Sequence, residues 1–188
     1  MAKVLIVNSS FRKNSNSSEL GLRVAEGAHN KGHEVTVIDI SRLRIEPCRG
    51  CEGCHQPKSK GCVVKDDMQP LFPLVREADV IIYASPVYWF TLGGQIKQFI
   101  DRCYSVAIQP EHKEPSLFAT KKLGLVMAYG DDDAFTSGCV NALRSVQDTC
   151  LFTGAAWAGA VYGSATDPGE IKNNAALMEK AVKFGESL

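Results

Sequence analysis

A chain of 188 residues with 45% hydrophobic composition can bury one substantial core and is too short to favour two, so a single domain over 1–188 is expected. Lysine plus arginine matches aspartate plus glutamate at 21 each, so the formal net charge is zero and no global field draws in nucleic acid or an anionic membrane; small molecules are the expected partners. The opening MAKVLIVNSS enters a strand with no basic leader before it, and no apolar run is long enough for a bilayer, so neither a secretory signal nor a membrane helix is expected.

Along the chain, continuous apolar runs alternate with segments of helical period, the pattern of a parallel sheet covered on both faces. Strands are expected at 3–8 (KVLIVN), 34–40 (EVTVIDI), 78–86 (ADVIIYASP), 122–129 (KLGLVMAY) and 156–162, with helices at 16–31, 68–77, 91–104, 134–152 and 170–186. Strict alternation of five strands with five helices implies right-handed crossovers. The natural result is an α/β fold: a flavodoxin-like, doubly wound three-layer α/β/α sandwich whose five-stranded parallel sheet has the order 2-1-3-4-5. In such sheets a ligand sits outside the carboxyl ends of the strands, beside the point where the strand order reverses. Two connections, 41–66 and 105–121, are long for a compact domain, and long structureless loops tend to be functional.

The first strand delivers the chain into NSSFRKNSNSS. Ser9, Ser10, Ser15, Ser17 and Ser18 offer hydroxyls, the helix start offers free backbone N–H groups, and Arg12 or Lys13 supplies charge, a combination suited to a phosphate monoester. The pattern is neither GxxxxGK[ST] nor GxGxxG, so a Walker loop and a dinucleotide-binding turn are not indicated. The competing local reading is a plain helix start, with Asn16 as cap and Glu19 closing a capping box; position after the first strand of this fold favours the phosphate. After the third strand, SPVYWFTLGGQIKQFIDR (85–102) puts Tyr88, Trp89 and Phe90 at the same sheet edge, where three consecutive aromatics cannot all point inward and a flat ring system can lie against them. Core or interface packing is the other reading, above all for Phe90. Tyr129, Gly130 and Asp131 leave the fourth strand at that edge too, although Asp131, Asp132 and Asp133 can equally cap the helix that follows.

Four of the seven cysteines, Cys48, Cys51, Cys54 and Cys62, fall in CRGCEGCHQPKSKGC, inside the 41–66 connection. Thiols at i, i+3 and i+6 with a fourth eight positions on can converge on one small inorganic core, and the intervening glycines let the backbone curl. An odd cysteine count without an export signal points to a reducing cytoplasm, where clustered thiols bind metal or do redox work more often than they form disulfides. An iron–sulfur cluster, a plain thiol-bearing loop and a zinc site helped by His55 are all open from the residues. Cys103, Cys139 and Cys150 lie in helix-like stretches and read as small buried hydrophobes.

NSSFRKNSNSSEL, then PCRGCEGC with GCVVKDDM, then SPVYWFTLGGQIKQFIDR resemble the NADPH-dependent FMN reductase-like flavoproteins over nearly the whole chain, and the cysteine block is similar to the compact motif of iron–sulfur flavoproteins. The resemblance implies FMN held at its phosphate by Ser9, Arg12, Ser15, Asn16 and Ser17 and at its ring by Pro86, Val87, Tyr88, Trp89 and Phe90, with Tyr129, Gly130 and Asp131 completing the pocket. In the iron–sulfur branch it implies a [4Fe-4S] cluster on Cys48, Cys51, Cys54 and Cys62. It further implies a homodimer or homotetramer with the flavin near a subunit interface, and hydride transfer from NAD(P)H to FMN with electrons passed on to a flavin, quinone or other small acceptor. The alternative is an electron carrier that uses FMN and the cluster between ferredoxin-like partners; a thiol-based redox sensor is a third reading. Since the flavin carries the chemistry, no catalytic side chain is expected. The histidines are assigned surface roles, with His112 alone a candidate for substrate contact.

Overall fold

A computed structural model of the chain describes residues 1–109, 111 and 113–188. Its strands are β1 (Lys3–Asn8), β2 (Glu34–Asp39), β3 (Val80–Tyr88), β4 (Thr91–Leu92), β5 (Lys122–Tyr129) and β6 (Ala156–Ser164). The five long strands pair in parallel in the order β2-β1-β3-β5-β6, which is the expected 2-1-3-4-5 counted over long strands. The addition is β4, which turns back antiparallel on the end of β3.

Successive residues of a strand face opposite sides, and here both sides are covered. Leu5 and Val7 of β1, Ile81 and Tyr83 of β3, and Leu123, Leu125 and Met127 of β5 build one core layer. It is roofed by α2 (Leu71–Glu77), α3 (Gly94–Arg102), α4 (Tyr104–Ala107) and α5 (Cys139–Thr153). Val4, Ile6, Val80, Ile82, Ala84 and Val126 build the other, under α1 (Asn16–Asn30) and α6 (Ala175–Glu186). Burial on both faces is why these strands read as continuous apolar runs instead of alternating ones. Two glycines set the distance between α1 and α6: a Cβ on Gly27 would lie 2.0 Å from the Val182 carbonyl oxygen, and one on Gly185 would lie 2.1 Å from that of Val24.

Several boundaries differ from expectation. Residues 91–92 pair with β3 through Val87–Leu92 and Tyr88–Thr91, so the helix expected from 91 starts at Gly94. The helix expected from 134 begins at Cys139, because Asp133 Oδ1 accepts from Phe135 N (2.8 Å) and Thr136 N (3.0 Å) and closes a turn first. The helix expected from 170 is a 3-10 turn, Glu170–Asn173, followed by α6, whose N-cap Asn174 accepts from Leu177 N. His112 lies outside the described residues, so its expected substrate contact has no structural description. Among the described residues no helix is long and apolar enough to cross a membrane.

Candidate functional site

The loops that follow β1, β3, β5 and β6 meet at one edge of the sheet. After β1 the chain turns and starts α1 with Ser15 as N-cap, its Oγ accepting from Ser18 N at 3.3 Å. The cap is therefore Ser15 and not Asn16, and Glu19 pairs with Lys172 Nζ at 2.8 Å. Asn16 instead ties α1 to the loop after β6: Nδ2 donates to Ala165 O (3.2 Å) and Asp167 O (2.9 Å), and Oδ1 accepts from Ile171 N (3.2 Å). Arg12 Nη1 donates to Thr166 O at 2.8 Å in the same direction.

A cavity of about 150 Å³ lies between these segments and the ends of β3 and β5. Arg12, Ser15, Asn16 and Ser17, all expected from the sequence, line its polar end, and Ser15 and Ser17 hold their hydroxyls 3.1 Å apart. Ser9 does not line it: that side chain is 1% exposed and its Oγ donates to Ala84 O at 2.8 Å, tying β1 to β3. The next residue, Ser10, lines the cavity instead. Ala165 and Thr166 were also missed; the SATDPGE stretch carried a readable signal, since in this fold the loop after the last strand ends at the same edge.

The aromatic side is built by the β3–β4 turn. Trp89 (φ +47°) and Phe90 (φ +63°) are both left-handed, the geometry of a two-residue hairpin turn that normally selects Asn-Gly. Such backbone costs about 1–2 kcal/mol per residue. Asn141 Nδ2 holds the turn by donating to Phe90 O at 3.2 Å, and Gly138 (φ +77°) makes room for it, since a Cβ there would lie 2.3 Å from Phe90 Cα. The turn leaves Trp89 91% exposed at the rim of a second cavity of about 580 Å³, lined also by Phe90 and Asp131. Nearby, burial, then the neighbouring Cys139, Tyr162 and Asp133, push the pKa of the Tyr129 phenol above its ordinary value.

The two cavities share Val87, Tyr88, Tyr129 and Gly130 and so form one groove. One end offers the hydroxyls of Ser10, Ser15 and Ser17, the Arg12 guanidinium and the start of a fifteen-residue helix. The first N–H groups of such a helix have no intrahelical partner, and its dipole favours an anion. The other end is broad and aromatic. The division fits a phosphate joined to a planar heterocycle, as in FMN.

The cysteine loop forms a separate site. Cys48 and Cys51 are exposed, Cys54 and Cys62 half-buried, and all four line one narrow space against the α3–α4 corner. Burial pushes the Cys54 thiol above its ordinary value, and the nearby Cys62, Glu52 and Cys48 push the same way against a backbone hydrogen bond. Among the described residues no three His, Cys, Asp or Glu side chains sit close enough to hold a single metal ion. His55, weighed for zinc, has Nδ1 3.1 Å from Glu52 Oε2 and packs edge-on to Tyr104 at 4.5 Å. A four-iron cluster makes a different demand, because each thiolate binds its own iron around a cube. Four sulfurs around one space fit that donor set; the space itself is about 20 Å³, roughly one water, so the loop must widen to admit a cluster. The other three cysteines are buried, as expected, and burial holds Cys139 and Cys150 at about 11.

Residues 2–165 match the family described as NADPH-dependent FMN reductase. The chain belongs to the NADPH-dependent FMN reductase family. It is therefore one of a family of NADPH-dependent flavin reductases. An iron–sulfur flavoprotein of Archaeoglobus fulgidus is 38% identical over 112 residues, which cover 59% of this chain and 50% of the relative. Another, from Methanosarcina thermophila, is 30% identical over 147 residues, covering 78% of this chain and 71% of the relative. The match thus spans half the length of the first relative. The solved NAD(P)H:quinone oxidoreductase of Methanothermobacter marburgensis shares the fold, with a TM-score of 0.73 at 18% identity over 98% of this chain and 96% of that one.

Proposed function

We propose that the chain binds FMN in the groove between the start of α1 and the β3–β4 turn, receives electrons there from NAD(P)H, and passes them to a small acceptor such as a flavin or quinone. The observation that carries this reading is the division of one continuous groove into a donor-rich end and an aromatic end. Arg12, Ser15 and Ser17, joined by Ser10, hold the phosphate, and Asn16, its amide spent on residues 165–171, can offer only its backbone N–H; Ser9 acts behind them by fixing the β1 and β3 ends. Pro86, Val87 and Tyr88 lie along the ring, Trp89 and Phe90 flank its open side, and Tyr129, Gly130 and Asp131 close the far side. FMN held by these residues would supply the redox chemistry, hydride acceptance from a nicotinamide and two-electron transfer to the acceptor.

The side chains contribute position and polarity. Tyr129, a neutral phenol whose pKa burial pushes further up, can donate a hydrogen bond without adding charge beside the ring. The exposed Trp89 rim suits cover by a second copy of the chain, in keeping with a homodimer or homotetramer of single-domain subunits. A cytoplasmic setting agrees with seven free thiols.

A second reading is favoured by the shared cysteine-lined space and by relatives named iron–sulfur flavoprotein: a [4Fe-4S] cluster on Cys48, Cys51, Cys54 and Cys62, with the chain relaying electrons to ferredoxin-like partners. Anaerobic mixing of FMN-loaded chain with NADPH or NADH separates the two. Rapid loss of the flavin's visible absorbance supports the reductase. Reduction by a ferredoxin alone supports the carrier, and reduction by neither removes both.

A further inference from the structure

Arg102, at the end of α3, is the largest fully buried side chain, 1% exposed. Its Nη1 lies 2.5 Å from Asp66 Oδ2 and its Nη2 3.1 Å from Asp66 Oδ1, a fork-on-fork pair. The same guanidinium reaches both legs of the cysteine loop. Nη1 donates to Glu46 O at 2.8 Å, just before Cys48, and Nη2 lies 3.5 Å from Val64 O, just after Cys62. Asp66 repeats the bridge, with Oδ2 accepting from Glu46 N at 2.8 Å and Oδ1 from Met68 N at 3.1 Å. The GCVVKDDM and FIDR stretches, which stood out in the sequence only as shared motifs, therefore meet in one buried ion pair that pins the ends of the loop together.

Asp66 does not use the whole guanidinium. Arg102 Nε is buried and has no hydrogen-bond partner among the described residues. Leaving such a donor unmet is costly, and more so when it is charged. Arg102 also lines the space that the four cysteines line, and the Cys62 sulfur is close enough to favour its positive charge and to accept a hydrogen bond from its side chain. A cationic side chain already within reach of one cysteine sulfur, with Nε–H still unmet, invites a stronger acceptor. Cluster sulfur carrying negative charge is one, and hydrogen bonds to such sulfur, like nearby positive charge, set a cluster's reduction potential.

We propose that Arg102 is the positioning residue of the four-cysteine centre: with Asp66 it clamps the two ends of the loop, and its charge and unused Nε–H favour the reduced, more negative state of a cluster held there. This rests on the iron–sulfur reading. The clamp also explains how the loop tip can widen around a cluster while its ends stay fixed.

The test compares wild type, Arg102→Lys and the paired Arg102→Met/Asp66→Leu chain, each purified and iron-reconstituted without oxygen. Readouts are iron per chain, a spectroscopically followed reductive titration, and FMN affinity as a folding control. The double variant removes both charges, so neither is left buried and unpaired. Expected are about four irons per wild-type chain, a midpoint potential shifted negative in Arg102→Lys, and faster iron loss to chelator in the double variant, whose two lost charges are of opposite sign. Iron-free wild type overturns the iron–sulfur reading and the role of Arg102 with it. Iron-loaded wild type with an unmoved potential in Arg102→Lys overturns the role of Arg102 in setting the potential, and iron held by the double variant as firmly as by wild type overturns the clamp.

Discussion

Truncating Arg12 to alanine isolates the phosphate end of the groove. Arg12 is exposed and its guanidinium bonds to the Thr166 carbonyl, so its removal strands no buried partner and the fold should stand. A hydrogen bond to a charged group contributes about 1.5–3 kcal/mol, and each 1.4 kcal/mol is about tenfold in affinity. Arg12→Ala should therefore raise the Kd for FMN by roughly 10- to 150-fold. Riboflavin, which has the same ring and no phosphate, should bind wild type and variant alike. Flavin fluorescence, followed as flavin-free protein is titrated in, gives all four constants. The gap between the two flavins should also narrow in high salt, because an exposed charge is screened. Equal losses for FMN and riboflavin, or no loss for either, would refute the assignment of this end to the phosphate.

Gly27→Ala should destabilise the chain by about 1–3 kcal/mol through overpacking against the α6 backbone. Because Gly→Ala inside a helix normally gains about 0.5–1 kcal/mol, a urea midpoint that rises would contradict the close α1–α6 crossing. Trp89→Asn should do the opposite, stabilising the flavin-free chain by about 1 kcal/mol, since Asn tolerates the left-handed backbone and the exposed indole gives up little packing; a lower midpoint would show that the turn is not strained. Alkylation of the metal-free chain near neutral pH should modify Cys48 and Cys51 first and Cys54 more slowly. Cys103, Cys139 and Cys150 should react only after denaturation, because burial denies access and raises their pKa values, so few are thiolates. Peptide mass spectrometry reads the order, and early labelling of Cys139 or Cys150 would contradict the packing of α5.

The strand order was legible because β1, β3 and β5 are buried on both faces and leave no other reading of their apolar runs. The groove followed from it, since a doubly wound sheet puts the NSSFRKNSNSS, SPVYWF and YGD loops at one edge. The sequence could not say which of two adjacent serines faces the ligand. Ser9 and Ser10 are chemically alike, and only the pairing of β1 with β3 turns Ser9 towards Ala84. Asn16 looked like a cap by residue type, but Ser15 caps α1, and the Asn16 amide spans to residues 165–171, a contact no local pattern carries. Trp89 and Phe90 in left-handed backbone run against turn preference, so a helix from 91 was the reasonable expectation; the β3–β4 pairing and the fit of Gly138 under Phe90 override it. The partnership of Asp66 with Arg102 joins positions far apart in the chain and needed the fold to be seen.

A crystal structure of the chain grown with FMN tests the central assignment most directly. The phosphate should lie within hydrogen-bond reach of Arg12 and of the Ser10, Ser15 and Ser17 hydroxyls, with the ring between Tyr88 and the Tyr129–Gly130 turn. FMN bound elsewhere on the chain, or its ring turned into the serine end with the phosphate among the aromatics, would contradict it.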